Sequence, residues 1–552
     1  MSRPNLERAY PYLFLAIVAA YCLVYAPYGI NETDNGFLTG LAWQLLCGKT
    51  LYHDVLYVRP PLPVWMRAGE LMLLPENWSI LGERYIFYFK VALYTWLAAD
   101  LLEKNAKRWL LAIFGFIVSV HSYPACAWHS VDGILFAVSS VWFYKQTHRS
   151  FIVTVLFALL AGKAFVAALL CKQSFYPLAA IFPILFLTWQ HRWRLQRLLA
   201  FSVSAIITLA AFLIYLSQNE LLDNYLHMTG GAASAMQAVQ HGLLDYFRIK
   251  PVLIFFTILS LLPVFQWIRD GKNAVMVEFA WGGWLSLLLA TYVLDFWLPE
   301  TFAVPFSQSR LMFLVAVFYA GRQVWLWLKG RRFVEVFSAG LPENMTLLLL
   351  LLAVSWSAAV SWGYNLPIFL ATPWVFVAMT IGQQLWQKAY GKVYPEWRHA
   401  CAIVVLLLIG RCSYEYVYRD GKRSEMTVHL GAIFPKLQGI YSSPGTAALY
   451  AELDSLSRQY QHNFVVLPSF PQAHFLTGAC SPLPLDWVVK REMNGDNSLI
   501  VNSLQNKKLF LFVEKSAAEK IRTDPEMEPT RNLIQRGTAM GETTHFQIMR
   551  YE

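Results

Sequence analysis

Several ionisable residues of this sequence stand beside apolar stretches, where charged groups are costly and commonly serve a function. Two of them, Asp34 and Asp132, are acids that could take a proton from a hydroxyl group. Three are cations that could neutralise a phosphate, namely Arg59, Lys172 and Arg310. An arginine can bind two phosphate oxygens at once. These residue types therefore indicate a site where a hydroxyl is activated beside a bound phosphate.

Structural roles for the same residues compete with this interpretation. Asp34 precedes an apolar helix and could be its N-cap. Arg59 could extend its charge to lipid headgroups from the membrane surface, and Lys172 could be an interfacial anchor. Asp132 could be the partner of a buried His or Lys. Taken one at a time, these residues do not decide between structural and chemical roles.

The elements around Asp34 and Arg59 are easier to predict than their roles. Apolar side chains after Asp34 fall on one helical face and predict an amphipathic helix lying at the membrane interface, with Phe37, Leu41, Leu45 and Leu46 on that face. The pair Pro60-Pro61 prevents a helix from continuing into it. We therefore expect Arg59 to be held rigidly at the membrane surface.

The composition is that of a polytopic membrane protein. Of the 552 residues, 57% are apolar and 14% are charged, against roughly 45–50% and 25% in soluble domains. The net charge of +10 comes from Lys and Arg in short loops between apolar stretches. That placement reflects membrane topology and argues against a nucleic-acid partner.

Apolar stretches predict about thirteen transmembrane helices. They lie near 10–30, 85–102, 109–124, 127–144, 151–171, 174–190, 198–216, 251–268, 277–298, 311–328, 345–362, 367–386 and 400–416. Basic residues concentrate in alternate loops, which predicts a cytoplasmic N-terminus and puts the chain beyond the last span outside the cytoplasm. The first outer loop is 31–84.

We expect two domains, an all-α membrane bundle over 1–417 and a small outer α/β domain over 418–552. In the second, a helix is predicted from Gly445 to Tyr460, and strands at Asn463, Lys508 and His545. The sequence shows no short-period repeat.

Cysteine and histidine give no metal signature. The seven Cys residues have no zinc spacing, and Cys412–Cys480 is one possible disulfide. His121 and His129 have no third ligand at a suitable spacing, so we expect no histidine-built metal site. A divalent metal stays possible, although no histidine cluster supports one.

Two motifs of the first outer loop resemble those of the GT-C glycosyltransferase superfamily. They read Asp34-Asn35-Gly36-Phe37 after the first span and Arg59-Pro60-Pro61-Leu62 before the second. The branch that they resemble contains the bacterial aminoarabinose transferases and the protein O-mannosyltransferases, families 83 and 39. Its members commonly show Asp-Glu-Gly-Tyr and Lys-Pro-Pro-Leu. Asn35 replaces a second acid, which weakens any claim of paired carboxylates, and Arg59 keeps the charge with a different geometry.

Three further positions extend the resemblance. Asp132 follows His129-Ser130-Val131 at the outer start of a span, and Lys172-Gln173 resembles a Thr-Lys-Gln element. Arg310 stands where an Arg-Tyr or His-Tyr pair is usual, but Leu311 follows it. The span count and the outer tail also look like those of the aminoarabinose transferases.

The resemblance implies transfer of a sugar from a polyprenyl-phosphate donor to a glycan or glycolipid acceptor, by inverting displacement at the periplasmic face of an inner membrane. Asp34 would be the general base, and Asp132 would share that role or hold the sugar. Arg59, Lys172 and Arg310 would bind the donor phosphate. The remaining candidates for the substrate pocket are Asn35, Tyr57, His129 and Gln173.

Two other functions compete with glycosyl transfer. A transporter or flippase of lipid-linked sugars often has inverted repeats and broken helices at mid-membrane. The sequence shows no convincing halves of that kind, and its charged residues cluster toward one face. A receptor that binds the lipid without catalysis is the third possibility, because Asn35 departs from the motif.

Overall fold

The structure is a computed structural model that describes residues 3–104, 107–120, 125–146, 150–189, 193–230, 303–329, 340–360, 367–390, 416–417, 420–494, 500, 503–504 and 509–551. The predicted spans at 251–268 and 277–298 lie outside these residues, as does 400–415 of the last span. Of helix segments 303–312 and 382–390, only the backbone is described.

Helices occupy the other predicted spans. They are α1 (Arg3–Val24), α4 (Ser79–Leu102), α5 (Lys107–Val120), α6 (His129–Lys145), α7 (Phe151–Leu169), α8 (Leu178–Thr188), α9 (Arg194–Gln218), α11 (Ala303–Leu328), α12 (Glu343–Ala359) and α13 (Thr372–Tyr390). Between them lie α2 (Phe37–Leu46), α3 (Leu62–Leu73) and α10 (Leu222–Gly230). Within the described part of the chain, 3 helices are long and apolar enough to cross a membrane, Glu76–Leu102, Phe151–Leu169 and Arg194–Gln218. These apolar helices indicate a membrane protein.

The helix bundle brings several helix ends together at one face. Helix α6 packs against α4 and α7, and α7 packs against α9. The starts of α4 and α6 meet there, because Glu83 near the start of α4 accepts a hydrogen bond from the Ala127 amide, 2.7 Å away. Lys172, just after the end of α7, reaches Ser130 in the first turn of α6. The first loop lies at this same face.

The C-terminal tail, which we define as the chain from 418 onward, contains a small sheet and short helices, as the sequence predicts. Strands β5 (Phe464–Leu467), β6 (Leu509–Glu514), β7 (Gly537–Glu542) and β8 (Phe546–Tyr551) form a sheet in the order β5-β6-β8-β7. Strands β5 and β6 are parallel, with Phe464 opposite Phe510, and the other pairs are antiparallel. Sequence reasoning missed β7, since most of its residues are exposed and it lacks an apolar pattern.

Short elements complete the tail and the residues just before it. Two-residue strands form the ladders β1 (Tyr416–Val417) with β2 (Gly421–Lys422) and β3 (Val428–His429) with β4 (Tyr441–Ser442). The helices are α14 (Pro444–Gln459), α15 (Ala473–Thr477), α16 (Ala518–Thr523) and α17 (Glu528–Gln535). Helix α14 begins after Ser443, whose hydroxyl accepts a hydrogen bond from the Thr446 amide and so caps it.

The first loop and the tail pack directly on each other through α2. A Cβ atom on Gly40 would lie 2.1 Å from the carbonyl oxygen of Pro471, and one on Gly36 would lie 2.5 Å from Gln472 Cβ. Only glycine allows so close an approach of the two backbones. Cys47, the C-cap of α2, forms a disulfide with Cys480 of the tail.

These contacts cover α2 with protein and correct one prediction. Seven residues of α2 are buried, namely Phe37, Leu38, Thr39, Gly40, Leu41, Ala42 and Gln44. Its polar residues are buried because they have partners, such as Gln44, which donates to Asp486 at 2.8 Å. The suggested Cys412–Cys480 disulfide is wrong, since Cys480 pairs with Cys47.

Candidate active site

Asp34 begins a short 3-10 turn, Asp34–Gly36, which two asparagines hold in place. The Asn31 side-chain oxygen accepts hydrogen bonds from the amides of Asp34 (2.8 Å) and Thr33 (3.2 Å). Asn35 accepts from the Asn31 side-chain nitrogen at 2.6 Å. The interpretation of Asp34 as a helix N-cap is wrong, because the N-cap of α2 is Gly36 and no side chain caps it. Asp34 is itself only 5% exposed, so the turn holds its carboxylate inside the protein.

Asp132 belongs to a chain of buried ion pairs. Lys90 Nζ lies 2.8 Å from Asp132 and 2.9 Å from Glu70. Arg67 lies 3.2 Å from Glu70 and 2.5 Å from Glu83. Because the charges alternate in sign, each buried ion has a neutralising neighbour. The structure thus gives Asp132 the lysine partner that the structural alternative expects.

Glu83 links this ion chain to the turn that carries Asp34. Its carboxylate accepts hydrogen bonds from Thr39 Oγ1 on α2 (3.0 Å) and from the Ala127 amide (2.7 Å). The neighbouring Cys126 sulfur lies 3.9 Å from the Asp34 carbonyl oxygen. Glu83 therefore fastens together the helices and the connecting segment that surround Asp34. Sequence reasoning missed Glu83, although a charge at the start of an apolar helix could have drawn attention to it.

Arg59 faces the C-terminal tail. Its two terminal nitrogens donate to the two carboxylate oxygens of Glu492, at 2.6 and 2.8 Å. Its guanidinium also lies over the Phe37 ring, 5.1 Å from the centroid. Burial tends to raise the pKa of the Glu492 carboxyl, but the charge and hydrogen bonds of Arg59 outweigh burial and lower that pKa. Arg59 therefore binds an anion supplied by the protein.

Lys172 is the second cation of this region. It is 6% exposed, and its ammonium donates to Ser130 Oγ at 3.1 Å. Burial lowers the pKa of Lys172 well below its usual value, the nearby charge of Arg59 lowers it further, and Glu492 opposes both. An additional anion between the two cations would favour protonation of Lys172. The neighbouring Gln173 donates to the Val58 carbonyl at 2.5 Å and so joins this segment to the first loop.

His129 and Tyr57 form a buried polar pair next to the cations. Their rings are nearly parallel, with centroids 6.0 Å apart, and Phe37 packs on His129 at 5.7 Å. His129 is fully buried and Tyr57 is 1% exposed. Neither the His129 ring nitrogens nor the Tyr57 hydroxyl has a hydrogen-bond partner among the described residues. An unmet buried polar group costs about 1–3 kcal/mol, so this pair is suited to a polar ligand.

The space around these groups is small. A cavity of about 10 Å³ lies between the first loop and the tail, with Phe37, Tyr57, Trp487 and Glu492 among its lining residues. That volume suits about one water molecule. A phosphate or a sugar could enter only if the tail or its side chains moved.

The side chains of two remaining candidates, Arg310 and His121, are not described. Arg310 lies on α11, where only the backbone is described. His121 lies outside the described residues. In the described part of the chain, no group of three His, Cys, Asp or Glu side chains could hold a metal ion.

The structure thus brings the predicted residues together in two neighbouring groups. One group contains the cations Arg59 and Lys172 with the rings of Tyr57 and His129. In the other, Asp132 belongs to the ion chain and Asp34 lies near its Glu83 end. Sequence reasoning missed Glu492 and Lys90, which pair with Arg59 and Asp132. It also missed the further members of the ion chain, Glu70, Arg67 and Glu83.

Comparison with known proteins gives matches in structure alone. No protein-family model and no curated protein matches the chain. The chain is similar to ArnT from Cupriavidus metallidurans bound to undecaprenyl phosphate, at 12% identity over 98% of both chains with a TM-score of 0.43. It is also similar to the Archaeoglobus fulgidus oligosaccharyltransferase AglB in complex with an inhibitory peptide and a dolichol-phosphate. That match has 11% identity, 99% coverage of this chain, 74% coverage of AglB and a TM-score of 0.47.

A second structure of the Archaeoglobus fulgidus enzyme, tethered to an acceptor peptide, matches at 11% identity with a TM-score of 0.45. The match covers 99% of this chain and 74% of the Archaeoglobus fulgidus chain. At TM-scores below 0.5 these likenesses assign no role to any residue of this chain.

Proposed function

We propose that the chain is a membrane glycosyltransferase that moves a sugar from a polyprenyl-phosphate-linked donor to a glycan or glycolipid acceptor. The observation that carries this proposal is the placement of two basic side chains, Arg59 and Lys172, around a buried pair of polar rings at one end of a bundle of apolar helices. A lipid-linked donor needs all three features. Its phosphate needs cations, its sugar needs hydrogen-bonding groups, and its polyprenyl chain needs a membrane.

Arg59 and Lys172 would stabilise the leaving phosphate. When the bond between the sugar and the phosphate oxygen breaks, negative charge grows on that oxygen, and fixed cations in a dry site stabilise it strongly. Arg59 is suited to this role because its two terminal nitrogens already bind two oxygens of one anion, the Glu492 carboxylate. Arg310 is the third cation assigned to the phosphate.

His129 and Tyr57 would hold the sugar. A sugar hydroxyl can both donate and accept, so it could satisfy the imidazole nitrogens and the phenol together. Asn35 and Gln173 complete the proposed pocket. Their side chains brace its walls, Asn35 through Asn31 and Gln173 through Val58.

Asp34 would be the general base. It would take the proton of the acceptor hydroxyl while that oxygen attacks the anomeric carbon, and polyprenyl phosphate would leave from the opposite face, with inversion. Asp132, whose carboxylate is paired with Lys90, is the second candidate. We assign Asp132 to holding the sugar or to sharing the work of Asp34.

The disulfide supports an outer location for the site. Cys47 of the first loop and Cys480 of the tail are bonded to each other and so lie on the same side of the membrane. Disulfides persist in oxidising compartments, and the predicted topology puts both segments outside the cytoplasm. We propose that the site faces the periplasm and that the N-terminus of this inner-membrane protein is cytoplasmic.

The test is release of polyprenyl phosphate by the purified full chain in detergent. The donors are undecaprenyl-phosphate sugars of several kinds, and the acceptors are envelope glycans and glycolipids. We expect acceptor-dependent release of undecaprenyl phosphate together with a glycosylated acceptor. Detergent removes the two membrane faces between which a flippase moves lipids, so a flippase would release no undecaprenyl phosphate. Binding of donors without release would contradict the proposal and would favour a lipid-binding receptor.

A further inference from the structure

Glu492 occupies the position in which the proposed donor phosphate would have to bind. Its carboxylate takes both terminal nitrogens of Arg59, at 2.6 and 2.8 Å, in the paired geometry that a guanidinium also offers to phosphate. The Glu492 side chain is 4% exposed. It belongs to a short turn of the C-terminal tail, Lys490–Glu492. The anion that binds the two terminal nitrogens of Arg59 is thus provided by the tail.

A phosphate and Glu492 cannot bind the same two nitrogens together. The space beside them is a cavity of about 10 Å³, too small for a phosphate group while Glu492 is one of its walls. Arg59 is itself braced, since its guanidinium lies over Phe37 and Tyr52 donates to its backbone carbonyl at 2.7 Å. The carboxylate is therefore the partner that must move.

A second cation is within reach of the displaced carboxylate. Arg491 Nε lies 3.9 Å from Glu492, and the Arg491 side chain is 61% exposed. Its guanidinium lies over Trp487, 5.4 Å from the ring centroid, on the edge of the same cavity. A shift of Glu492 toward Arg491 would keep its charge compensated and bring it nearer to solvent.

We propose that Glu492 is an internal competitor for the phosphate site, which holds that site closed until a donor phosphate displaces it from Arg59. This inference rests on the proposed function, because it takes Arg59 as the phosphate ligand. It couples donor binding to acceptor entry. Donor binding releases the turn Lys490–Glu492 and opens the cavity between the first loop and the tail, so that the acceptor can enter.

The experiment measures binding of undecaprenyl phosphate to the purified full chain, with undecaprenol, which lacks the phosphate, as the reference lipid. Glu492→Gln removes the competing charge and keeps the size of the side chain. If about a tenth of the molecules have a free Arg59, removing the competitor tightens phosphate-lipid binding about tenfold. Binding of undecaprenol stays unchanged. The matched control is Glu528→Gln, whose carboxylate pairs with Lys490 in the same turn at an exposed position and is expected to leave binding unchanged.

Two further variants, Arg59→Ala and Glu492→Asp, distinguish failure of the competition from failure of the phosphate site. Weaker binding by Arg59→Ala with unchanged or weaker binding by Glu492→Gln would overturn the competition and leave the phosphate site in place. Unchanged binding by Arg59→Ala would overturn the phosphate site, and the role of Glu492 with it. Glu492→Asp serves if the Gln variant does not fold, because it keeps the charge but is too short to reach both nitrogens. We expect it to bind the phosphate lipid with intermediate affinity, and wild-type affinity would contradict the proposal.

Discussion

Lys90 and Asp132 lie on neighbouring helices of the bundle with their charged atoms 2.8 Å apart. Lys90 also contacts Glu70, at 2.9 Å, so this one ammonium joins two carboxylates. A buried cation shared by two carboxylates neutralises charge on both of the helices that carry them. Lys90 therefore fixes the Asp132 carboxylate within the bundle.

The first prediction concerns Asp34. Asp34→Asn should preserve the fold, because the turn is held by Asn31 and by backbone amides and not by a cap from Asp34. Asn cannot accept a proton, so sugar transfer should fall by roughly 10²-fold or more. The measurement is initial rate of transfer, run beside thermal unfolding of the same preparation. If the folded variant transferred sugar at a near-normal rate, Asp34 would not be the general base and Asp132 would be assigned that role.

The second prediction concerns Arg59. Arg59→Ala should cost on the order of 2–4 kcal/mol of transition-state stabilisation, the usual loss for one electrostatic donor. Arg59→Lys should keep part of the activity, since it keeps the charge and loses the two-nitrogen contact. The measurement is kcat/KM for the donor.

A control for Arg59→Ala is needed because the change leaves Glu492 buried without its partner, which destabilises the fold. The double variant Arg59→Ala/Glu492→Gln removes that charge and should recover stability without recovering activity. If activity also returned in the double variant, Arg59 would have a structural role only.

The third prediction concerns the buried ion chain. Lys90→Met leaves Asp132 and Glu70 without their shared cation and should destabilise the protein by about 3–5 kcal/mol. The exposed pair of Lys490 and Glu528 provides the comparison, and Lys490→Met should cost less than about 1 kcal/mol. Thermal or denaturant unfolding of both variants measures the difference. Equal effects of the two changes would mean that the ion chain does not stabilise the bundle.

The fourth prediction concerns the disulfide. Cys47→Ser removes a covalent link between the first loop and the tail and should lower stability by about 2–5 kcal/mol. Cys22→Ser is the matched control, because Cys22 is a free thiol and should tolerate the change. Unfolding with and without a reducing agent measures both effects. Reducing agent should destabilise the wild type and should not affect Cys47→Ser.

The fifth prediction concerns topology. A reporter that is active only in an oxidising compartment should work when it is fused at Glu552, because the predicted positive-inside pattern puts the tail outside the cytoplasm. A cytoplasmic reporter should fail at the same position. The reverse pair of results would place the proposed site on the cytoplasmic side and would contradict the periplasmic assignment.

Much of the architecture was determined by the sequence alone. Apolar runs of helical length predicted the helices that the structure describes, because burial in a membrane requires such runs in any arrangement. The change of composition after the last span predicted the α/β tail, and the helix at Pro444–Gln459 lies where the sequence places it. The sequence also singled out Asp34 and Arg59, because a charge beside an apolar run is costly wherever it packs.

Only the tertiary structure decided the partners of these residues. Arg59 and Glu492 are separated by 433 positions, and no local pattern relates the two. Helix α2 shows the same limit, because its periodicity suggested an exposed polar face, whereas Thr39 and Gln44 on that face are buried against Glu83 and Asp486. A polar side chain is compatible with water or with a buried partner, and which one it meets depends on the packing of distant segments of the chain.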